Sequence, residues 1–272
     1  MPLSDFLQAF TDEVRRSDTD LDLGHAALLI AAGEYPQLSL ETAGALLDEI
    51  AISIAAQISP GMSQRERASI IRQRLFYDLD FQGNQEEYYD PRNSYLNDVL
   101  IRRRGIPISL AAVYLEVGRR VGLEAAGVSY PIHFLVKYHD EGREWIVDPF
   151  HKGEELLGDH IRSGLGARGW PPEQIDYILS GVTRRQMLSR MLLNLKQIYA
   201  RTEDHVRALR IQEYLLAINP WSFEEIRDRG ILRARTDDIT GAIEDLETYL
   251  DHAGPADDLA TIREMIARLH GG

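Results

Sequence analysis

Apolar residues recur at helical spacing through the first ninety positions. Between positions 40 and 58, Ala43, Leu46, Leu47, Ile50 and Ile54 fall on one face of a helix. Ser63-Gln64-Arg65-Glu66 has the spacing of a capping box, Ser at the cap and Glu three residues on, ahead of Ile70, Ile71, Leu75 and Phe76. The polar stretch 83–91 reads as a loop, after which Asn93 or Ser94 is placed to cap a helix running through Leu96, Val99 and Leu100 to Arg104. Gly105 is positioned to end that helix, and Pro107 suits the first turn of the next. The second helix, from about Ser109 to Val121, buries Leu110, Val113, Tyr114, Val117 and Val121 and stops at Gly122.

The period then shortens to two. Val128 to Tyr130, Ile132 to Tyr138 and Glu144 to Asp148 read as strands, with His139-Asp140-Glu141-Gly142 as the turn between the last two. A register in which Lys137 faces Glu144 matches Val136 with Trp145, Leu135 with Ile146, Phe134 with Val147 and His133 with Asp148. It sets the imidazole and the carboxylate on one face, their Cβ atoms about 5 Å apart. A one-residue slip would send them to opposite faces.

The Gly- and Pro-rich passage 163–172 reads as a boundary. Beyond it the chain is helical and repeats: Ala208-Leu209 with Leu215-Leu216 recurs as Ala242-Ile243 with Tyr249-Leu250 after 34 residues. Asn219-Pro220 and Gly254-Pro255 close the respective helices, and Gly230 and Ala234 occupy small-residue positions where paired helices approach closely. This is the period of the tetratricopeptide repeat. The pattern therefore divides the chain into an N-terminal helical part of the core at 1–92, a core with the candidate chemistry at 93–172, and helical repeats at 173–272. The fold class is α+β, followed by an all-α repeat domain.

Composition narrows the setting. With 44% hydrophobic and 27% charged residues among 272, the chain can build a core without staples. It has no cysteine, so it offers neither thiolate chemistry nor disulfides, and a cytoplasmic location is expected. The start shows no basic-then-apolar leader, and the longest purely apolar run, Ala26 to Ala32, is far too short to span a membrane. The net charge of −13 is concentrated at residues 1–50, which hold ten acids against two bases, whereas residues 93–172 hold ten of each. With no basic stripe, nucleic acid and membrane are not the expected partners.

Ser109, His133 and Asp148 supply a hydroxyl at a helix start and an imidazole and carboxylate on adjacent strands. A serine nucleophile needs neutral His as general base and Asp to orient it, and a helix start offers N–H groups to a developing oxyanion. The competing reading makes Ser109 a helix cap and His133 with Asp148 a structural hydrogen bond. A metal site from His133, Asp148 and His151 has neither a helical His pair nor tight ligand spacing, so no metal or cofactor is expected. Asn97 is a candidate to point an amide at substrate, Arg104 to hold a substrate carboxylate, and Tyr95, with Tyr88 and Tyr89, to line a cleft. Capping, helix-end charge and packing explain the same residues.

The text from Asn93 to Leu100, Arg103 to Leu110, His133 to Val136 and Asp148 to Phe150 resembles the transglutaminase-like superfamily, and within it the bacterial SirB-type branch that carries tetratricopeptide repeats. The resemblance implies a papain-like core in which a Cys at a helix start faces a His and an Asp on antiparallel strands. His133 then matches the base and Asp148 its partner. Ser109 lies near the Cys position, although counting back from Arg119-Arg120-Val121-Gly122 puts that position nearer Pro107. The resulting expectation is a protein-binding or adaptor module with weakened or absent catalysis. Its repeat groove, near Tyr214 and Trp221, would capture a protein or peptide. The alternative is a Ser-His-Asp amidase, peptidase or acyl transferase acting on peptide or glutamine amides.

Overall fold

The computed structural model describes residues 3–131 and 133–271. Ile132, part of the predicted strand beginning there, lies outside the described residues. Four helices come first: α1 (Leu3–Val14), α2 (Leu23–Glu34), α3 (Leu40–Ala55) and α4 (Gln64–Arg72), the last continued by a π-helical turn, Gln73–Asp78. The predicted capping box opens α4, with the Ser63 N–H donating to Glu66 Oε2 at 2.7 Å and the Glu66 N–H to Ser63 Oγ at 3.2 Å. Helix α2 is apolar around its whole circumference, and it is buried accordingly from Leu23 to Gly33 except at His25.

A two-residue parallel bridge joins β1 (Gln82–Gly83) to β2 (Arg104–Gly105), flanking α5 (Leu96–Arg102). The helix ends before the predicted Arg104 because Arg103 takes the left-handed conformation, φ 57°, in the capping role expected of Gly105. Helix α6 (Pro107–Arg120) starts two residues before the predicted Ser109, with Pro107 in its first turn, and nearly all of it is buried.

A four-stranded antiparallel sheet follows in the order β3 (Ala125–Val128), β4 (Leu135–Asp140), β5 (Arg143–Asp148) and β6 (Glu154–Leu157). Both of its faces are covered. Phe134, Val136, Tyr138 and Val147 join the main core around α6. On the opposite face Val128, Leu135 and Ile146 pack with Leu165, Ile175 and Leu179 from α7 (Gly158–Ala167) and α8 (Pro172–Leu179).

The register differs from the predicted one by two residues: Val136 faces Val147, Lys137 faces Ile146 and Tyr138 faces Trp145. The cause is the turn. Asp140 pairs with Arg143 around Glu141-Gly142 alone, and both turn residues have positive φ, 48° and 73°, as a type I′ hairpin requires. A slip of two preserves the face on which each side chain lies. Lys137 Nζ still reaches Glu144 Oε2 diagonally, at 3.2 Å.

The passage 163–172, read as a boundary, is helical over its first half. Helix α7 runs through Ser163-Gly164-Leu165-Gly166-Ala167 because Leu165, 1% exposed, anchors it to the sheet, and burial outweighs the poor helix propensity of glycine. Five helices complete the chain: α9 (Arg184–Arg201), α10 (His205–Ile218), α11 (Phe223–Arg235), α12 (Ile239–His252) and α13 (Leu259–Gly271). At Gly230 an added Cβ would lie 2.9 Å from Leu246 Cγ, so this glycine does permit close approach of paired helices, α11 and α12. Helices α9 and α10 share one core with the N-terminal helices, since Met187, Leu188, Leu192, Ile211 and Tyr214 pack in the same cluster as Phe10 and Leu29. The Phe10 and Tyr214 rings meet edge to face at 4.9 Å.

Candidate functional site

His133 and Asp148 are brought together. His133 precedes β4, held in a turn by its N–H to the Tyr130 carbonyl at 3.0 Å, and Asp148 ends β5. Their side chains meet at 2.8 Å, His133 Nε2 to Asp148 Oδ2. His133 lies outside the strand in which it was predicted, so the contact does not come from a β4–β5 pair: the turn before β4 and the end of β5 bring the two side chains together. Asp148 also caps the 3₁₀ turn Pro149–His151: its Oδ1 accepts the N–H groups of Phe150 at 3.0 Å and His151 at 3.2 Å. Its Oδ2 is shared with a second imidazole, His151 Nδ1, also at 2.8 Å. Burial works to raise the Asp148 pKa, but the hydrogen bonds and charges of the two imidazoles outweigh it and hold the carboxyl below its ordinary value. With Nε2 donating to the carboxylate, neutral His133 keeps its lone pair on Nδ1.

Ser109 is not brought to them. It is fully buried, at 0% exposure, and its hydroxyl donates to the Asn93 carbonyl at 2.6 Å, with the Ile106 carbonyl a second acceptor at 3.1 Å. The same oxygen accepts the Ile106 N–H at 3.1 Å, so Ser109, at the third position of α6, ties the incoming chain to the helix start. Among the described residues no hydrogen bond links it to His133 or Asp148.

A cleft of about 300 Å³ opens beside His133, lined by Tyr88, Tyr89, Pro107, Ile108, Phe134, Arg190, Asn194 and Gln197. At the start of α6, Pro107 and Ile108 line this cleft and Ser109 does not. Proline has no side-chain nucleophile and also no backbone N–H to contribute to an oxyanion hole.

The other predicted substrate contacts lie outside this lining. Tyr95 is 3% exposed and its hydroxyl meets that of Tyr199 at 2.8 Å, so it serves to pack α5 against α9. Asn97 is buried at the start of α5 with its Oδ1 unpartnered. Arg104 is held by Asp80, through its carbonyl at 3.0 Å and its carboxylate at 3.4 Å. Tyr214, expected near a repeat groove, is 1% exposed and donates to the Leu29 carbonyl at 3.2 Å, whereas Trp221 is 79% exposed.

Sequence reading missed Arg190. Its guanidinium donates to Ser129 Oγ and, at 3.0 Å, to the His133 carbonyl, and it forms no ion pair among the described residues. It comes from α9, 57 residues beyond His133, and no local motif marks it. Tyr88 and Tyr89 do line the cleft, their rings edge to face at 5.3 Å, with the Arg201 guanidinium 4.3 Å above Tyr89.

Residues 41–193 match the Transglutaminase-like superfamily, a span that holds α6, the sheet and the His133–Asp148 pair. The chain belongs to the transglutaminase-like superfamily. Residues 195–267 match a tetratricopeptide repeat, so an α+β transglutaminase-like core is followed by helical repeats. Similar proteins place it in the SirB-type branch. The UPF0162 protein of Xylella fastidiosa strain Temecula1 is 37% identical over 237 residues, covering 86% of this chain and 84% of that protein. Protein SirB1 of Salmonella typhimurium is 28% identical over 259 residues, 92% of this chain and 94% of its own length. Human F-box only protein 21 is 36% identical over 107 residues, 34% of this chain and 17% of that protein. No solved structure matches. Among the described residues no helix is long and apolar enough to cross a membrane.

Proposed function

We propose that this transglutaminase-like protein captures a protein or peptide partner and carries no acyl-transfer nucleophile of its own. The observation that carries this reading is the exchange at the start of α6: Pro107 faces the cleft, while the Ser109 hydroxyl is buried and committed to backbone. Among the described residues no serine, threonine or cysteine lines this cleft for the His133–Asp148 pair to activate. The cleft favours an extended segment bearing a carboxylate. The half-buried Arg190 guanidinium still has donors to spare after its two hydrogen bonds, Tyr88 and Tyr89 offer ring faces, and Asn194 and Gln197 offer amides. The repeat helices add a second binding surface, on which exposed Trp221 is the anchor to test. The acidic total charge argues against nucleic acid, and the cysteine-free composition fits the cytoplasm.

Because the chain has no cysteine, a single introduced thiol gives a clean test. In Pro107→Cys the thiol would sit at a helix start beside His133, and native-state alkylation should be faster than for a free thiol and should slow in the Pro107→Cys/His133→Ala double variant. In the unmodified chain a fluorophosphonate probe should leave Ser109 unlabelled. Labelling of Ser109 that requires His133 would overturn the proposal in favour of a Ser-His-Asp amidase or acyl transferase.

A further inference from the structure

We infer that His133, Asp148 and His151 form a binding site for one late first-row divalent cation of the zinc, cobalt or nickel type. The inference is independent of whether the neighbouring cleft binds a peptide. Sequence spacing did not support such a site, because the first histidine lies 15 residues before the aspartate. The fold supplies the convergence instead. One ligand atom from each residue lies within 4.8 Å of the other two, and both imidazoles stop 2.8 Å from the same oxygen, Asp148 Oδ2. Two neutral imidazoles and one carboxylate are a donor set that zinc and its neighbours prefer, and small ring pivots bring all three atoms to the roughly 2.0–2.2 Å that such an ion requires. To ligate, each neutral imidazole would take the tautomer with its proton on the far nitrogen, Nδ1 of His133 and Nε2 of His151, which frees the nitrogen nearest Oδ2 for the ion.

The surroundings are those of a prepared site. Asp148 Oδ1 is fixed by two backbone N–H groups, which leaves Oδ2 as a single aimed ligand. The Phe150 ring lies edge-on to both imidazoles, at 5.9 Å from His133 and 5.3 Å from His151, and limits how far either can turn. Gly83 makes room for that ring, since a Cβ there would come within 2.4 Å of it. The His151 side chain is 53% exposed, which leaves the remaining coordination positions open to water or a small ligand.

The test is titration of the full, chelator-stripped chain with Zn²⁺ in competition with a chromophoric chelator, and with Co²⁺ followed by its visible absorption. One equivalent should bind, with a low-coordinate cobalt spectrum. His151→Ala, a change at an exposed side chain that leaves the fold intact, should weaken binding at least about tenfold, the lower end of the cost of losing even an outer-shell partner. Asp148→Asn should weaken it as well, and His160→Ala should not. Absence of stoichiometric binding, or equal affinity in the parent and His151→Ala, would overturn the site. Peptide capture through the cleft is read separately, in metal-free buffer, so failure of one proposal leaves the other standing.

Discussion

Replacing Ser109 by alanine separates a structural hydroxyl from a catalytic one. A hydroxyl poised in an active site has few protein partners, and its removal typically changes stability by no more than about 0.5 kcal/mol. Here the side chain is fully buried, donates to the Asn93 carbonyl at 2.6 Å and accepts the Ile106 N–H at 3.1 Å. Alanine would leave those two backbone groups with only each other, at 3.3 Å. Two neutral hydrogen bonds at about 0.5–1.5 kcal/mol each give a destabilisation of roughly 1–3 kcal/mol. Loss of a helix-capping side chain, at about 0.5–2 kcal/mol, leads to a similar figure. At roughly 2–4 °C per kcal/mol for a chain of this class, the thermal midpoint should fall by several degrees. Urea unfolding followed by tryptophan fluorescence measures the difference directly. The companion variant Ser109→Cys should resist alkylation until the chain unfolds, whereas Pro107→Cys reacts in the native state. A Ser109→Ala protein as stable as its parent, or a Ser109→Cys thiol that alkylates readily when folded, would refute the reasoning.

Three further outcomes follow from the geometry. Gly33→Ala places a Cβ 2.7 Å from the Tyr214 hydroxyl, so it should cost roughly 1–3 kcal/mol, and Tyr214→Phe should relieve part of that in a double-mutant cycle. Gly105→Ala drives a Cβ to within 2.7 Å of Ser109 Oγ and 3.0 Å of Leu110 Cγ, and melting should show a loss at least as large as that of Ser109→Ala. Burial opposes ionisation of Asp90, but hydrogen bonds and charge from Arg92, aided by Arg102, hold its pKa below the ordinary carboxylate value. Its stabilising contribution is therefore full above about pH 5 and is lost as pH falls through the depressed folded value, so Asp90→Asn should be less stable than the parent at pH 7 and converge with it only once the pH lies below that value.

How much of this was legible depended on the range of each interaction. The capping box at Ser63 and Glu66, Pro107 in the first turn of a helix and the 34-residue repeat are local patterns, and the chain obeys them. The meeting of His133 and Asp148 was anticipated from a strand pairing that the chain does not form, since His133 precedes β4; the register was not legible, because the choice between a two-residue and a four-residue turn rests on Glu141 accepting positive φ. The 163–172 passage read as a boundary by composition, and its first half, Ser163 to Ala167, is helical because Leu165 has a sheet to cover. Arg190 was hidden for another reason, whereas His151 was named beside His133 and Asp148 and set aside on spacing. A side chain reaching the site from α9 leaves no spacing in the sequence to notice.

Helix α9 also bears on how the chain is subdivided. The transglutaminase-like match ends at residue 193 and the repeat match begins at 195, yet Arg184–Arg201 is one uninterrupted helix whose apolar side sits among the N-terminal helices. Cutting between the two matches would sever that rod and leave oily residues from Leu28 to Tyr199 facing water. Neither half is then expected to survive as a separate soluble piece. A partner pulling on the last helices would tug, through this shared strut, on the segment that holds Arg190 against the cleft.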